Sequence, residues 1–134
     1  MMSSPIAGEQ HLQIGAVAAR TALSIKTIRY YDEVGLVVPS ARSTGGFRLY
    51  TAADVDRLLS IRRMKPLGFS LDEMRRLLAA LHALDAADST AVENAAARAY
   101  VLECHRQAQD ACTELARQLA YACELTEQLA RYDN

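Results

Sequence analysis

From Ala91 to Arg131 the chain contains neither proline nor glycine, which predicts one uninterrupted helix. Forty residues at 1.5 Å each span about 60 Å, and so small a protein cannot bury a helix of that length on itself. From Val101 onward, apolar and small positions recur at spacings of four and three: Val101, His105, Ala108, Cys112, Leu115, Leu119, Ala122, Thr126 and Leu129. Sustained over about four heptads, this is a coiled-coil seam with charged residues on the outer face. A seam requires a second helix, and an identical chain is the simplest supplier. His105 and Thr126 are polar and the alanines are small; such positions can fix register and pairing at some cost in stability.

Alanine, rather than bulky core residues, inflates the apolar share of the sequence, and alanine favours helix. Sustained period-two alternation is missing outside one short segment, so a mostly α fold is expected. The net charge of −1 hides a division: residues 1–68 carry nine Lys/Arg against five Asp/Glu, and residues 69–134 carry six against eleven. A basic front half and an acidic back half suit a nucleic-acid module followed by a protein-binding element. No apolar run is long enough for a transmembrane helix. Residues 1–11 lack the basic start and long apolar core of a signal peptide and are expected to be a flexible tail. Three cysteines, an odd number, argue against a secreted disulfide framework and for reduced thiols in a cytoplasm.

Residues 12–38, LQIGAVAARTALSIKTIRYYDEVGLVV, read as two short helices joined by a tight turn. The first carries Ile14, Val17 and Ala18 at spacings of three and four. The second opens on Ser24, a good N-cap, and presents Lys26, Thr27, Arg29 and Tyr30 while Ile25 and Ile28 turn inward. That is the pattern of a helix-turn-helix whose second helix reads DNA. Gly35 stops this helix, and Leu36–Val38 form a short strand or turn before Pro39. In ARSTGGFRLY, residues 41–50, Gly45-Gly46 supplies a turn between segments that can pair as a hairpin, with Arg42, Arg48, Phe47 and Tyr50 around it. A basic hairpin directly after a helix-turn-helix is a wing, the kind of element that contacts DNA backbone or minor groove. Thr51 and Asp54 form the next capping box, and the helix they start carries Val55, Leu58, Leu59 and Ile61 inward. It ends on Arg62, Arg63 and Lys65, which complement the helix dipole and can also meet phosphates. Pro66 and Gly68 break the chain. Ser70 and Glu73 then cap a helix with Leu71, Met74, Leu77, Leu78 and Leu81 on its apolar face, followed by a polar link over 83–90.

In this order, IGAVAARTALSIKTIRYYDEVGLV, RSTGGFRLY, a helix, LGFSLDEMRRLL and a long terminal helix, the chain resembles the MerR family of bacterial transcriptional regulators. The resemblance covers residues 12–82 by motif and 91–131 by architecture. It implies a winged helix-turn-helix DNA-binding domain followed by a long dimerisation helix that forms an antiparallel coiled coil. It further implies a homodimer on a palindromic promoter operator, distorting an overlong spacer so that RNA polymerase can engage both promoter elements. By motif position it implies Lys26, Arg29 and Tyr31 as recognition-helix contacts, with Arg42, Gly46, Phe47, Arg48 and Tyr50 in the wing. Arg62 and Lys65 match the basic helix end that supports backbone contact. Ser24, Thr27 and Tyr30 complete the candidate DNA-binding set; Tyr30 or Tyr31 can instead pack the helix against the wing. Arginine grips phosphate or guanine in two-pronged fashion, and two heads on a two-fold axis read a palindrome.

The signal is less legible. Family metal sensors carry a cysteine-bearing loop after the long helix and drug sensors an extra domain; neither follows the helix in this sequence. Where divalent-metal sensors place a cysteine, near the start of the long helix, Ser89 and Thr90 stand. No cofactor is expected, and the effector stays open. Cys104, Cys112 and Cys123 lie about 12 and 16 Å apart along one helix, beyond the roughly 7 Å Cα reach of a disulfide. Across an antiparallel pair with its axis near Ala108, however, Cys112 would approach His105 or Cys104 of the other chain. That would offer a thiol–imidazole site for metal or redox chemistry. The alternative is that these thiols pack as small apolar side chains. Two other functions differ in class. One is an architectural, excisionase-like winged-helix protein that bends DNA without an effector; the long helix argues against it. The other is an enzyme using Cys104-His105, but adjacent helical residues point about 100° apart and no catalytic motif supports it.

Overall fold

The computed structural model describes residues 10–133; the tail expected over 1–11 lies outside the described residues except for Gln10 and His11. The chain divides between Leu78 and Ala79 into two compact units.

The first unit contains β1 (Leu12–Gln13), α1 (Ile14–Thr21), α2 (Ile25–Glu33), β2 (Ala41–Arg42), β3 (Arg48–Tyr50), α3 (Ala52–Met64), a 3-10 turn over Lys65–Leu67 and the start of α4 (Leu71–Asp85). Its core is formed by Val17, Ile28, Tyr31, Tyr50, Leu58 and Ile61. The inward stripe of α2 is Ile28 and Tyr31, three residues apart; Ile25, expected to point inward, is 38% exposed at the first helical position. The hairpin forms as expected, with Ala41 opposite Leu49 and Arg42 opposite Arg48. Its turn relies on Gly46 at φ +84°, a conformation that disfavours a side chain. The sequence did not suggest β1. It pairs antiparallel with β3, Leu12 opposite Tyr50, giving a sheet of order β1-β3-β2. A two-residue strand carries no period-two pattern, so only its distant partner defines it.

The turn between α1 and α2 is held by side chains as well as backbone. Ala22 adopts φ +59°, a left-handed conformation costing a non-glycine residue about 1–2 kcal/mol. The buried Thr21 offsets this: its hydroxyl donates to the Val17 carbonyl at 2.8 Å and accepts the Leu23 amide at 3.3 Å. Arg62 on α3 donates to the Thr21 carbonyl at 2.6 Å, closing the electronegative end of α1. Arg75 on α4 does the same beyond α2, reaching the Val34 carbonyl at 2.9 Å.

Both capping boxes read from sequence are present, at Thr51/Asp54 and Ser70/Glu73. Asp54 does more than cap. It is fully buried, and its Oδ2 accepts the Ser40 hydroxyl at 2.6 Å, the Ser40 amide at 3.1 Å and the Thr51 amide at 3.0 Å. Its other oxygen accepts from Arg57. Burial pushes this carboxyl up, but Ser40, Thr51 and Arg57 outweigh it and hold Asp54 below the usual carboxylate range.

In the second unit α4 runs on to Asp85, three residues past its expected end. The connection is therefore 86–90 rather than 83–90, and Ser89 donates to the Ala83 carbonyl at 2.7 Å. Leu81, expected on the apolar face of α4, is 37% exposed. A third capping box, Thr90 with Glu93, starts α5 (Ala91–Ala130). Its Thr-x-x-Glu spacing is the same local sequence signal as in the other two boxes. Along the first half of α5 the covered stripe is Ala97, Val101, Cys104, Ala108 and Ala111, with Ala97 and Cys104 buried. Val101 and Ala108 are thus half-covered within their own chain, so the fully exposed part of the expected seam begins at Cys112. Beyond Ala111 every described helical residue is exposed, including Leu115, Leu119, Leu125 and Leu129 at 41, 65, 54 and 56%.

Candidate nucleic-acid interface

α2 presents the first part of the interface. Ser24 caps it by accepting the Thr27 amide at 3.0 Å, and its hydroxyl donates to the Thr27 hydroxyl at 2.9 Å. Lys26, Arg29 and Tyr30 are exposed on the helix that follows. Among the described residues neither cation has an ion-pair partner. Unpaired basic side chains on one face of a capped helix suit a polyanion.

A half-open cleft of about 590 Å³ brings Lys26, Thr27 and Tyr30 together with Lys65, over a floor that includes Tyr31, Phe69 and Met74. Lys65 stands at the C-terminal end of α3, its amide bonded to the Ile61 carbonyl, and Gly68 at φ +84° turns the chain just after it. A smaller cleft of about 110 Å³ lies between Arg29 and the wing residues Gly46, Phe47 and Arg48. At the wing tip Phe47 is 66% exposed, an apolar ring displayed to solvent.

Other candidates are placed differently. Tyr31 and Tyr50 are buried, and their hydroxyls lack a hydrogen-bond partner among the described residues. Burial raises both phenols, helped at Tyr31 by the neighbouring Tyr30. The structure therefore corrects their reading as displayed contacts: both rings pack the core, and Tyr30 is the exposed member of the pair, their centroids 5.9 Å apart. Arg62 is committed to the Thr21 carbonyl. Arg42 and Arg48 both meet Asp32 near the end of α2, at 3.1 and 2.7 Å. The Asp32 hydrogen bond raises Arg48 above its ordinary value against the opposing effect of burial.

Asp32 and Arg75 are organising residues that sequence reasoning missed; Asp54 was read as a capping acid, but not its ties to Ser40 and Arg57. Asp32 had a signal: an acidic residue in the last turn of a helix opposes the dipole and calls for a nearby cation.

On α5, His105 and Cys112 are exposed and Cys104 is buried. Burying Cys104 within its own chain removes it from the displayed surface and corrects its expected place beside a partner's Cys112. Among the described residues no group of three His, Cys, Asp or Glu side chains is placed to hold a metal. No described helix is long and apolar enough to cross a membrane.

Comparison with known proteins agrees with this geometry. The family model described as MerR HTH family regulatory protein matches residues 12–81, and the one described as MerR, DNA binding matches residues 55–121. The transcriptional regulator CueR of Vibrio cholerae is 36% identical over 121 residues, covering 90% of this chain and 78% of that protein. CueR of Yersinia pestis is 44% identical over 71 residues, which span 53% of this chain and about half, 51%, of that relative. In fold, the chain is similar to HiNmlR, a MerR family regulator lacking the sensor domain and solved bound to promoter DNA. That likeness has a TM-score of 0.64 at 23% identity and covers 92% of this chain and 91% of that one. The chain belongs to the MerR family of DNA-binding transcriptional regulators.

Proposed function

We propose that two copies of this chain bind a palindromic promoter operator as a transcriptional regulator. Residues 12–82 form the DNA-binding head and residues 91–131 the dimerisation helix. α2 enters the major groove with Lys26, Thr27, Arg29 and Tyr30 towards the bases and phosphates. The wing tip, with Gly46, Phe47 and Arg42, lies along the adjacent backbone, and Lys65 meets phosphate across the cleft. The carrying observation is the exposed, unpaired Lys26 and Arg29 on a capped helix, beside a wing tied to that same helix through Asp32.

The exposed leucines of α5 beyond Ala111 supply the contact between copies in an antiparallel coiled coil. Deforming a spacer costs on the order of a few kcal/mol, within what dimer contacts and an effector can bias. RNA polymerase is then the partner at the promoter, and the chain acts in the cytoplasm without catalysis of its own. The match of the second family model into α5, to residue 121, favours this reading over an architectural DNA-bending protein, which needs no such helix.

Selection of duplexes from a randomised pool by the full-length protein tests the proposal; a palindromic consensus is expected. Arg29→Ala should then weaken binding to the selected duplex by about 1–3 kcal/mol and relax specificity at one position of each half-site. Unchanged binding would remove α2 as the reading element.

A further inference from the structure

Asp32 stands where helix chemistry argues against it. It lies in the last turn of α2, where unpaired carbonyls disfavour a carboxylate. Its side chain is only 11% exposed, and its Oδ2 alone receives Arg42 Nη2 at 3.1 Å and Arg48 Nε at 2.7 Å. Two wing guanidiniums therefore share a single carboxylate on the recognition helix.

The two partners are not equivalent. Arg48 makes the shorter contact and is 24% exposed, whereas Arg42 is 49% exposed at the longer one. Arg42 also turns its other amino group towards the Gly46 carbonyl, at 3.5 Å. To a guanidinium, carboxylate and phosphate offer the same kind of charged oxygen acceptor.

We propose that Asp32 acts as an internal stand-in for DNA phosphate: it keeps Arg48 as the tie between wing and recognition helix, and it yields Arg42 to a phosphate when duplex DNA docks. This rests on the DNA-binding reading above. A phosphate approaching the wing alone meets the Asp32 charge and gains only an exchange of one anion for another. With α2 seated, a phosphate is placed within reach of Arg42 while Arg48 holds the wing in register. Asp32 thereby suppresses attachment to unrelated DNA and couples wing contact to α2 contact. It is a positioning and specificity-determining residue and does not itself touch DNA.

The test is a salt titration of the full-length protein on two duplexes, one selected by the wild type from a random pool and one scrambled. Asp32→Asn keeps the shape and removes the charge. On the scrambled duplex its salt slope should steepen by about 0.9, the value of one added phosphate contact. Over a fourfold range of salt that is roughly a threefold change in affinity. The preference for the selected duplex should fall, and Asp32→Glu should restore it. Arg42→Ala alone leaves the Arg48 tie intact; it should flatten the slope on the selected duplex by a similar amount and leave the scrambled duplex unchanged.

An Asp32 that only supported the wing would give the opposite pattern. Asp32→Asn would then weaken both duplexes without steepening either slope, and that result overturns the proposal. So does an unchanged slope in Asp32→Asn, or equal flattening on both duplexes in Arg42→Ala. If the wild type selects no duplex at all, the DNA-binding reading itself fails, a result separate from each of these.

Discussion

The head and the far half of α5 treat exposed chemistry in opposite ways. In the head, three structural carbonyl or carboxylate groups are each met by an arginine from another part of the chain: Arg62 on the Thr21 carbonyl, Arg75 on the Val34 carbonyl, and the wing pair on Asp32. Its core is covered, with Val17, Ile28, Leu58 and Ile61 at 0% exposure, while Phe47 at the wing tip is displayed. Beyond Ala111, α5 has leucines at 41 to 65% exposure and only short-range polar contacts, such as Arg117 with Glu114. The head completes itself within one chain; the far helix leaves its apolar stripe to another molecule. On α2 the exposed Lys26 and Arg29 have no ion-pair partner among the described residues, which leaves them open to DNA.

The sharpest way to break this contrast is to make the α5 stripe unfit for a partner while leaving the head alone. Leu119→Glu would place a charge in each strand of the seam, where an unpaired buried charge costs about 3–5 kcal/mol. Self-association measured by sedimentation should weaken by about 100-fold or more, with the near-ultraviolet signal of the buried tyrosines unchanged. Dimerisation at wild-type strength would show that the exposed stripe is not the seam.

A change in the head should behave the other way. Asp54→Ala leaves the Ser40 amide, the Thr51 amide and Arg57 without their acceptor. It should cost about 2–4 kcal/mol in urea unfolding of the head. The helicity of α5 in the dimer should be spared. Because folding lowers the Asp54 pKa, its contribution is full above the unfolded value of about 3.9 and fades as pH falls through the lower folded value. The stability gap between wild type and Asp54→Asn should accordingly narrow below about pH 4. A gap constant down to pH 2 would contradict the assigned network.

The smallest expected effect sharpens the division inside the head between reading and positioning. Lys65→Ala should reduce the salt slope of binding by about 0.9 on every duplex alike, without changing sequence preference. A changed preference would move Lys65 from backbone contact to base reading.

The pattern of legibility follows from the range of the interactions. Local signals were readable: the Thr51/Asp54 and Ser70/Glu73 boxes, the Gly46 turn, and a helix free of proline and glycine over forty residues. What was hidden depends on residues far apart in the chain. β1 is defined by Tyr50 and Leu49, nearly forty positions away. Whether Tyr30 or Tyr31 faces inward depends on what packs beside α2. The start of the exposed stripe could not be read from heptads, because Val101 and Ala108 share spacing with the seam yet are partly covered within the chain. Candidate arginines were found by type, but their partners were not. Only geometry separates Lys26 and Arg29, which are unpaired, from Arg42, Arg48 and Arg62, which are engaged.

The number of chains held on one selected duplex is the most direct measurement, made on the full-length protein by native mass spectrometry. Two chains of 14.7 kDa each per duplex are expected, with Leu119→Glu losing the two-chain complex. A single chain saturating the duplex at wild-type affinity would contradict the assignment of the α5 stripe to a second copy.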